Sequence, residues 1–228
     1  MRLTGFALGL VSAVAFLGST PAAAAVDWAR TVVATPQGGF RMGNPRAKVK
    51  LIEYGSLACP HCRHFEETGY RPLVQEYVRT GRVSYEFRNL LLNTPDISAS
   101  LLAHCAGPAK FFPMAEVIYA TQPQWFGKLA AMSDAQKAEV EAMPIAQRIV
   151  RFGEVAGFPQ VAARFGVTAA RSRQCLSDPK GVQRLLDVTK GAGDAGINHT
   201  PTFLINGKVA EATTWEDLQP KLRAALGG

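Results

Sequence analysis

The feature that most constrains this chain is a pair of cysteines separated by two residues, Cys59-Pro60-His61-Cys62 (the CPHC motif), shortly after a strand-length run at residues 49–54. Proline is favoured in the first turn of a helix, so a helix is predicted to begin at Pro60. A thiolate at Cys59 would face the free N–H groups and the positive end of that helix. Cys62 would lie one turn further in, shielded from solvent. The motif therefore predicts an exposed reactive thiol at Cys59 and a resolving thiol at Cys62.

Pro60 and His61 are candidate tuning residues, because His61 can donate a hydrogen bond or carry positive charge beside the Cys59 sulfur. Stabilising the thiolate stabilises the dithiol form, which makes the disulfide form a stronger oxidant. A static crosslink is one alternative, and a zinc site made by Cys59, Cys62 and His64 is another. Zinc usually needs a fourth protein ligand, and outside the segment 59–64 the sequence has no other Cys-x-x-Cys and no other His-x-x-His. Redox chemistry without bound metal is the favoured interpretation.

The first 25 residues have the order of features of a secretory signal peptide. Arg2 precedes an uncharged apolar run at residues 5–18, and alanines at 22–25 offer cleavage sites. An uncleaved anchor is the alternative, but the apolar run is shorter than the roughly 20 residues of a membrane span. We therefore expect a periplasmic protein whose mature domain covers residues 26–228.

Composition excludes several classes of protein. The chain is 47% hydrophobic, which is too much for an intrinsically disordered chain. The formal net charge of +7 comes from 25 basic and 18 acidic residues. The basic residues are scattered, whereas a nucleic-acid-binding surface would concentrate them. No nucleic-acid partner is predicted.

The order of predicted elements is strand, helix, strand, many helices, hairpin and helix. Strands are predicted at residues 49–54, 83–88, 202–205 and 209–212, the last two joined by the turn-forming Asn206-Gly207. Residues 36–45 look like turns. Residues from about 93 to 195 carry helical patterns only, with a capping box at Ser133 and Gln136. The fold class is therefore α/β with an all-helical insertion.

Two details of helix starts also follow from the sequence. Thr94 is predicted to cap a helix whose first position is Pro95. Thr213 and Glu216 have the spacing of a capping box for the terminal helix.

In the helix after the CPHC motif, Gly69 is expected to produce a kink together with the proline at position 72.

With these elements, the chain resembles the DsbA-like branch of the thioredoxin superfamily, whose active site is the same Cys-Pro-His-Cys. A second element of the resemblance is the run at residues 199–203, just before the hairpin, where such proteins carry a cis-proline. The resemblance implies a thioredoxin fold interrupted by a helical insertion, and a cis bond between Thr200 and Pro201. It also implies that Thr200 and Pro201 line the substrate groove. An ordinary trans-proline starting an edge strand is the alternative.

Glu53 lies six residues before Cys59 in an otherwise apolar strand. The resemblance places an acidic residue beneath the active site at this position. A half-buried carboxyl group there would have a raised pKa and could exchange protons with Cys62. The alternative is a glutamate on a solvent-exposed strand face. Arg88 is a candidate ion-pair partner for Glu53.

Cys105 and Cys175 both lie in the predicted helical insertion. Two buried free thiols would be an ordinary outcome for cysteine. In an oxidising compartment we favour a structural disulfide between them, and the resemblance is consistent with this because some DsbA-like proteins carry such an extra bridge.

The expected function is therefore an exported thiol:disulfide oxidoreductase that introduces disulfide bonds into reduced, folding exported proteins, without a cofactor. The resemblance implies reoxidation by a DsbB-like membrane quinone reductase. The alternatives are a reductase or isomerase on the same scaffold, and a periplasmic metal-binding or metal-delivery protein that uses Cys59 and Cys62.

Overall fold

The structure is a computed structural model that describes residues 26–227. The predicted signal peptide, residues 1–25, lies outside the described residues. The strands are β1 (Val32–Ala34), β2 (Phe40–Met42), β3 (Val49–Gly55), β4 (Val83–Asn89), β5 (Thr202–Ile205) and β6 (Lys208–Val209). The helices are α1 (Pro60–Phe65), α2 (Thr94–Cys105), α3 (Pro108–Ala120), α4 (Gln122–Ala130), α5 (Asp134–Ala142), α6 (Ile145–Ala156), α7 (Phe158–Arg164), α8 (Ala169–Leu176), α9 (Pro179–Asp194) and α10 (Trp215–Leu226).

The six strands form one sheet in the order β1-β2-β4-β3-β5-β6. Strands β3 and β4 are parallel, and every other neighbouring pair is antiparallel. Parallel neighbours need a crossover connection, and the helical stretch that begins with α1 makes it. Because β3 is an inner strand, the residues that follow it lie near the middle of the sheet, at the edge formed by the C-terminal ends of β3 and β4.

The crossover stretch stays helical from Pro60 to Val78, but much of it winds in wide π-type turns, at Glu66–Tyr70 and Leu73–Val78. Gly69 lies in the first of these turns and Pro72 directly before the second, and the kink expected there stays a prediction. Gly69 also serves close packing, since a Cβ there would lie 2.7–2.8 Å from atoms of the Phe65 and Trp215 side chains. Turns of this type often mark functional regions of helices.

Helices α2–α9 occupy the chain between Thr94 and Asp194, and the described structure has no strand in this range. This confirms the predicted class, an α/β thioredoxin-type fold with a helical insertion. A large hydrophobic core runs from the sheet into the insertion without a break. It includes Leu51 of β3, Leu102 of α2, Ile118 of α3 and Phe158 of α7. The insertion therefore packs directly on the sheet edge that carries the CPHC motif.

Two sequence predictions about strand positions were wrong. Residues 40–42, which were predicted to lie in a stretch of turns, form β2 and pair antiparallel with β4. A strand of three residues is too short to show an alternating pattern in the sequence. The last strand is limited to Lys208–Val209, because the following residues leave the sheet and Glu211 adopts a φ of +46°.

The capping predictions were correct at Ser133 and shifted by one residue elsewhere. Ser133 and Gln136 form the expected capping box. Helix α2 is capped by Asn93 rather than Thr94. Helix α10 is capped by Thr214, which accepts from the Asp217 amide. Adjacent residues with similar capping ability make such shifts easy. In residues 26–227, no helix combines the length and the apolarity that crossing a membrane would need.

Candidate active site at the CPHC motif

The CPHC motif lies where the central strand β3 gives way to α1. Cys59 is the N-cap of α1, and Pro60 takes the first helical position, as the sequence predicts. Both cysteines are present as free thiols. Cys62 is 1% exposed, and Cys59 is 4% exposed. The prediction of an exposed Cys59 was therefore wrong: the Thr200 carbonyl of the loop before β5 and the Gln122 side chain of α4 both contact this residue.

The two thiols differ sharply in acidity. The pKa of Cys59 is lowered to about 5, chiefly by a hydrogen bond with the Cys62 thiol. Burial opposes this shift, while hydrogen bonds from the Thr200 side chain and from the main chain at His61 and Cys62 support it. The pKa of Cys62 is raised well above its usual value, first by burial and then by its hydrogen bond with Cys59. This difference fits a thiolate at Cys59 and a protonated thiol at Cys62.

The loop before β5 lies beside the motif at the same end of the sheet, because β5 pairs antiparallel with β3 and Thr202 lies opposite Tyr54. The Thr200–Pro201 peptide bond is cis. The thiol of Cys59 donates to the main-chain carbonyl oxygen of Thr200 at 3.3 Å. The Thr202 hydroxyl donates to the carbonyl of His199 at 2.7 Å, which fixes the turn. The structure thus brings the Thr200–Pro201 pair against Cys59, although they are far apart in sequence.

The side chain of His61 lies on the surface of α1. His61 acts on Cys59 through its main-chain amide, which hydrogen-bonds the sulfur and lowers the pKa of that thiol. Pro60 is also exposed. Its position at the start of the helix leaves the following amides free to face the sulfur.

Glu53 is 2% exposed, which excludes the alternative of a solvent-facing glutamate. The Tyr85 hydroxyl on β4 donates to its Oε2 at 2.6 Å. Burial raises the pKa of Glu53 to about 8, against the opposing effect of the Tyr85 hydrogen bond and with a smaller contribution from Cys59. Arg88 is not its partner: Arg88 pairs with Glu86 at 2.8 Å and donates to the Tyr54 hydroxyl at 2.9 Å. Residues 54, 86 and 88 of β3 and β4 lie on the opposite sheet face from Glu53.

Several residues that the sequence interpretation missed hold the segment between β3 and α1. Asp96 of α2 accepts from the Ser56 hydroxyl at 2.6 Å and from the Leu57 amide at 3.1 Å. Burial raises the pKa of Asp96 to about 6, although the hydrogen bond from Ser56 opposes the shift. The Tyr119 hydroxyl of α3 donates to the Ser56 carbonyl at 3.0 Å. In sequence, Asp96 looks like an ordinary helix-start acid, so its long-range role carries no local signal.

A second missed acid, Glu66, lies one turn beyond Cys62. Its pKa is raised well above the usual value by burial and by the like charges of Glu53 and Glu116. The buried carboxyl of Glu53 therefore has another acidic group in its vicinity.

The structure joins Cys105 and Cys175 in a disulfide with Cα atoms 6.1 Å apart. The bond links α2 to α8 inside the helical insertion, and both residues are partly buried. His104, beside Cys105, uses its Nε2 with Asn89 Oδ1 at 2.8 Å. Over residues 26–227, no three histidine, cysteine or acidic residues are grouped as a metal site would require.

Comparison with known proteins agrees with this geometry. The family model described as Thioredoxin matches residues 35–224. A solved structure titled as a protein-disulfide isomerase from Novosphingobium aromaticivorans is 30% identical, with a TM-score of 0.78, covering 84% of this chain and 98% of that one. The structure of α-DsbA1 from Wolbachia pipientis, 20% identical with a TM-score of 0.66, covers 82% of this chain and 90% of that one and shares the fold.

Among curated proteins, a Rickettsia bellii protein named for protein-disulfide oxidoreductase activity is 27% identical over 75% of this chain. The same name is given to a Rickettsia prowazekii relative that is 25% identical over 81% of this chain. The chain spans 58% and 60% of the length of these two relatives. Because the family match covers most of the chain and includes both the CPHC motif and the Thr200–Pro201 loop, the chain belongs to the thioredoxin family and resembles its DsbA-like members.

Proposed function

We propose that this protein is an exported thiol:disulfide oxidoreductase that introduces disulfide bonds into reduced, folding proteins. The observation that carries the proposal is the pair of thiols at the start of α1, with the pKa of Cys59 lowered to about 5 and that of Cys62 raised. A stable thiolate is a good leaving group and stabilises the reduced enzyme, so the Cys59–Cys62 disulfide is a strong electron acceptor. DsbA, in which a cysteine of low pKa accompanies a strongly oxidising disulfide, has the same motif.

The reaction begins with the enzyme in its disulfide form. A substrate thiolate attacks the sulfur of Cys59, a new S–S bond forms, and the bond to Cys62 breaks. Cys62 leaves as a thiolate and takes up a proton, because burial favours its neutral form. A second substrate thiolate then attacks the substrate sulfur of the mixed disulfide and releases the thiolate of Cys59. The substrate loses two electrons, and the enzyme gains them as its dithiol.

Glu53 is the proposed proton donor and acceptor for Cys62. Its like-charge effect on Cys62 is one of the causes of the raised pKa of that thiol. A carboxyl group with a pKa of about 8 is protonated in most of the population near neutral pH, and so it can give a proton to Cys62 and take it back. Thr200 and Pro201 are the proposed substrate-contacting residues, since they face the attacked sulfur.

The test is equilibration of the purified mature protein with glutathione buffers, followed by oxidation of a reduced model substrate. An oxidase predicts an equilibrium far on the side of the reduced enzyme, and stoichiometric disulfide formation in the substrate. An equilibrium as reducing as that of a thioredoxin would replace this proposal with the reductase. Efficient rearrangement of a scrambled substrate without net oxidation would instead favour the isomerase, the name given to the Novosphingobium aromaticivorans neighbour.

We also propose export to the periplasm with cleavage after residue 25, and reoxidation by a DsbB-like membrane quinone reductase. Oxidising surroundings fit a structural disulfide between Cys105 and Cys175. Expression of the full chain, followed by fractionation and N-terminal sequencing, should find a periplasmic protein starting at Val26. Metal analysis of the same sample tests the metal-delivery alternative, which requires stoichiometric metal on Cys59 and Cys62.

A further inference from the structure

Gln122, the first residue of helix α4, lies 2% exposed in the junction between α3 and α4. Its side-chain amide nitrogen donates to the carbonyl oxygen of Leu57 at 3.0 Å and to that of Cys59 at 3.2 Å. A single NH2 group from the helical insertion thus binds the main chain on both sides of Ala58, at Leu57 and at Cys59. Cys59 carries the reactive sulfur.

These two carbonyl groups have few other partners. The carbonyl of Cys59 also accepts from the Arg63 amide at 3.1 Å, which is the first hydrogen bond of the α1 helix. Within residues 26–227, no other donor to the carbonyl of Leu57 is found. Leu57 is fully buried. Because an unpaired buried carbonyl is costly, the amide of Gln122 fixes the backbone at this point.

The consequence for the sulfur follows from the position of Cys59 at the helix start. The thiolate depends on main-chain N–H groups of His61 and Cys62 and on the Cys62 thiol, all of which must point at it. The direction of the Cys59 side chain is set by its backbone, which Gln122 holds. The NH2 group of Gln122 also adds partial positive charge beside the Cys59 carbonyl oxygen, in addition to that of the Arg63 amide.

We propose that Gln122 is a positioning residue for the reactive thiol: its side-chain amide holds the main chain at Leu57 and Cys59 so that the Cys59 sulfur stays aligned with the start of α1. The inference rests on the proposed function of Cys59 as the attacked sulfur. It makes the helical insertion part of the redox machinery, not only a cover for the sheet edge.

The test is Gln122→Met, which keeps the length and volume of the side chain but removes both donors. The expected result is a Cys59 thiolate titration shifted to higher pH, and an equilibrium constant with glutathione about fivefold less oxidising, the effect of one net hydrogen bond. A purely structural role would lower the stability of the oxidised and reduced forms equally and leave this equilibrium unchanged. A folded Gln122→Met protein within twofold of the wild-type constant overturns the proposal.

Thr121→Val is the matched control. Thr121 precedes Gln122, and its hydroxyl donates to the Val117 carbonyl within the same junction. This variant also loses a hydrogen bond, but not one to the active-site segment. We expect some loss of stability and an equilibrium constant within twofold of wild type. An equal change in both variants would assign the effect to the junction and overturn the specific role of Gln122.

A measurement on the wild-type protein does not depend on how the variants fold. The side-chain amide resonances of Gln122 should titrate with the ionisation of Cys59, at the pH where thiolate absorbance appears. Resonances that stay constant through that ionisation would overturn the proposal. The outcomes are separable from the proposed function: a reducing wild-type equilibrium would reject the oxidase, while the difference between wild type and Gln122→Met would still report on positioning.

Discussion

The sulfur of Cys59 lies 3.3 Å from the main-chain carbonyl oxygen of Thr200, a residue 141 positions further along the chain. A thiol can donate to that carbonyl, whereas a thiolate cannot. The thiolate is instead favoured by the N–H groups at the start of α1 and by Cys62. Ionisation of Cys59 therefore leaves the Thr200 carbonyl without this donor. In the proposed mixed disulfide, we expect the same carbonyl to accept from the backbone N–H of the substrate.

The first prediction concerns the division of labour between the two cysteines. Cys59→Ser should abolish oxidation of a reduced model protein, because it removes the attacked sulfur. Cys62→Ser should leave Cys59 able to form mixed disulfides that no internal thiol resolves. Mass spectrometry after incubation with an oxidised peptide should find the covalent adduct in Cys62→Ser only. An adduct that forms equally well in Cys59→Ser would reverse the assignment.

The second prediction concerns pH. Thiolate absorbance of the reduced protein should rise with a midpoint of about 5, because the pKa of Cys59 is lowered by its hydrogen bond with Cys62 and by the helix start. The Cys62 thiol should ionise only at pH values well above the usual range for cysteine. Alkylation rates measured across the acid and neutral range should give the same midpoint. Cys59→Ser is the control, and a single wild-type midpoint at the ordinary pKa of a cysteine would contradict the prediction.

The redox site could be predicted from sequence wherever its chemistry depends on neighbouring residues. Cys59, Pro60 and Cys62 sit at the helix start as expected, because strand, proline and helix follow one another directly. The class of the fold was also accessible, since helical patterns fill the range between two strand-rich segments. What could not be predicted is whatever depends on distant packing. Cys59 has low exposure and contacts Thr200 and Gln122, which only the tertiary structure brings to it.

The same limit explains the partners of Glu53 and of the active-site segment. Tyr85 binds Glu53 because β3 and β4 pair in parallel with a register that sequence patterns do not define. Arg88 lies on the other face of β4, where it donates a hydrogen bond to Glu86, its neighbour on that face. Gln122 has no local pattern that marks it, since a glutamine at a helix start is ordinary. Its function is visible only through its distances to Leu57 and Cys59.

The third prediction concerns the second disulfide, which closes a segment with a sequence separation of 70. Crosslinking reduces the conformational entropy of the unfolded chain, so the Cys105→Ala, Cys175→Ala double variant should lose about 2–4 kcal/mol of unfolding free energy. Denaturant unfolding of the oxidised proteins measures this difference. Oxidation of substrate should remain, because the bond lies within the insertion, away from the CPHC motif.

Ser172→Ala is a matched control for that measurement. Ser172 lies one turn before Cys175 on α8, is fully buried, and its hydroxyl has no hydrogen-bond partner within the described part of the chain. Removing the hydroxyl should change the unfolding free energy by less than about 1 kcal/mol, or increase it. A double cysteine variant as stable as Ser172→Ala would show that the bond does not stabilise the fold.

The fourth prediction concerns Glu53 and the pH dependence of stability. Burial raises the pKa of Glu53 from 4.5 to about 8. Between these two pH values the folded protein keeps a proton that the unfolded chain has lost. The free energy of unfolding should therefore fall as pH rises through this window, by up to about 1.4 kcal/mol per pH unit for one proton. The oxidised protein is the suitable form, because Cys59 does not titrate in a disulfide. The smaller contribution of Cys59 to the pKa of Glu53 is then absent, and burial, the largest cause, remains.

Glu53→Gln should remove the part of this slope that Glu53 causes, since the amide cannot ionise but still offers an oxygen to the Tyr85 hydroxyl. The raised pKa values of Asp96 and Glu66 should leave a smaller slope in both proteins. Tyr85→Phe should act in the other direction. The hydrogen bond from Tyr85 lowers the pKa of Glu53, so its loss should raise that pKa further and extend to higher pH the window in which the free energy of unfolding falls. Denaturant unfolding at several pH values between the two pKa values of Glu53 separates the three proteins. Parallel pH profiles for wild type and Glu53→Gln would mean that Glu53 is ionised throughout this range, and it could not then supply the proton that Cys62 needs.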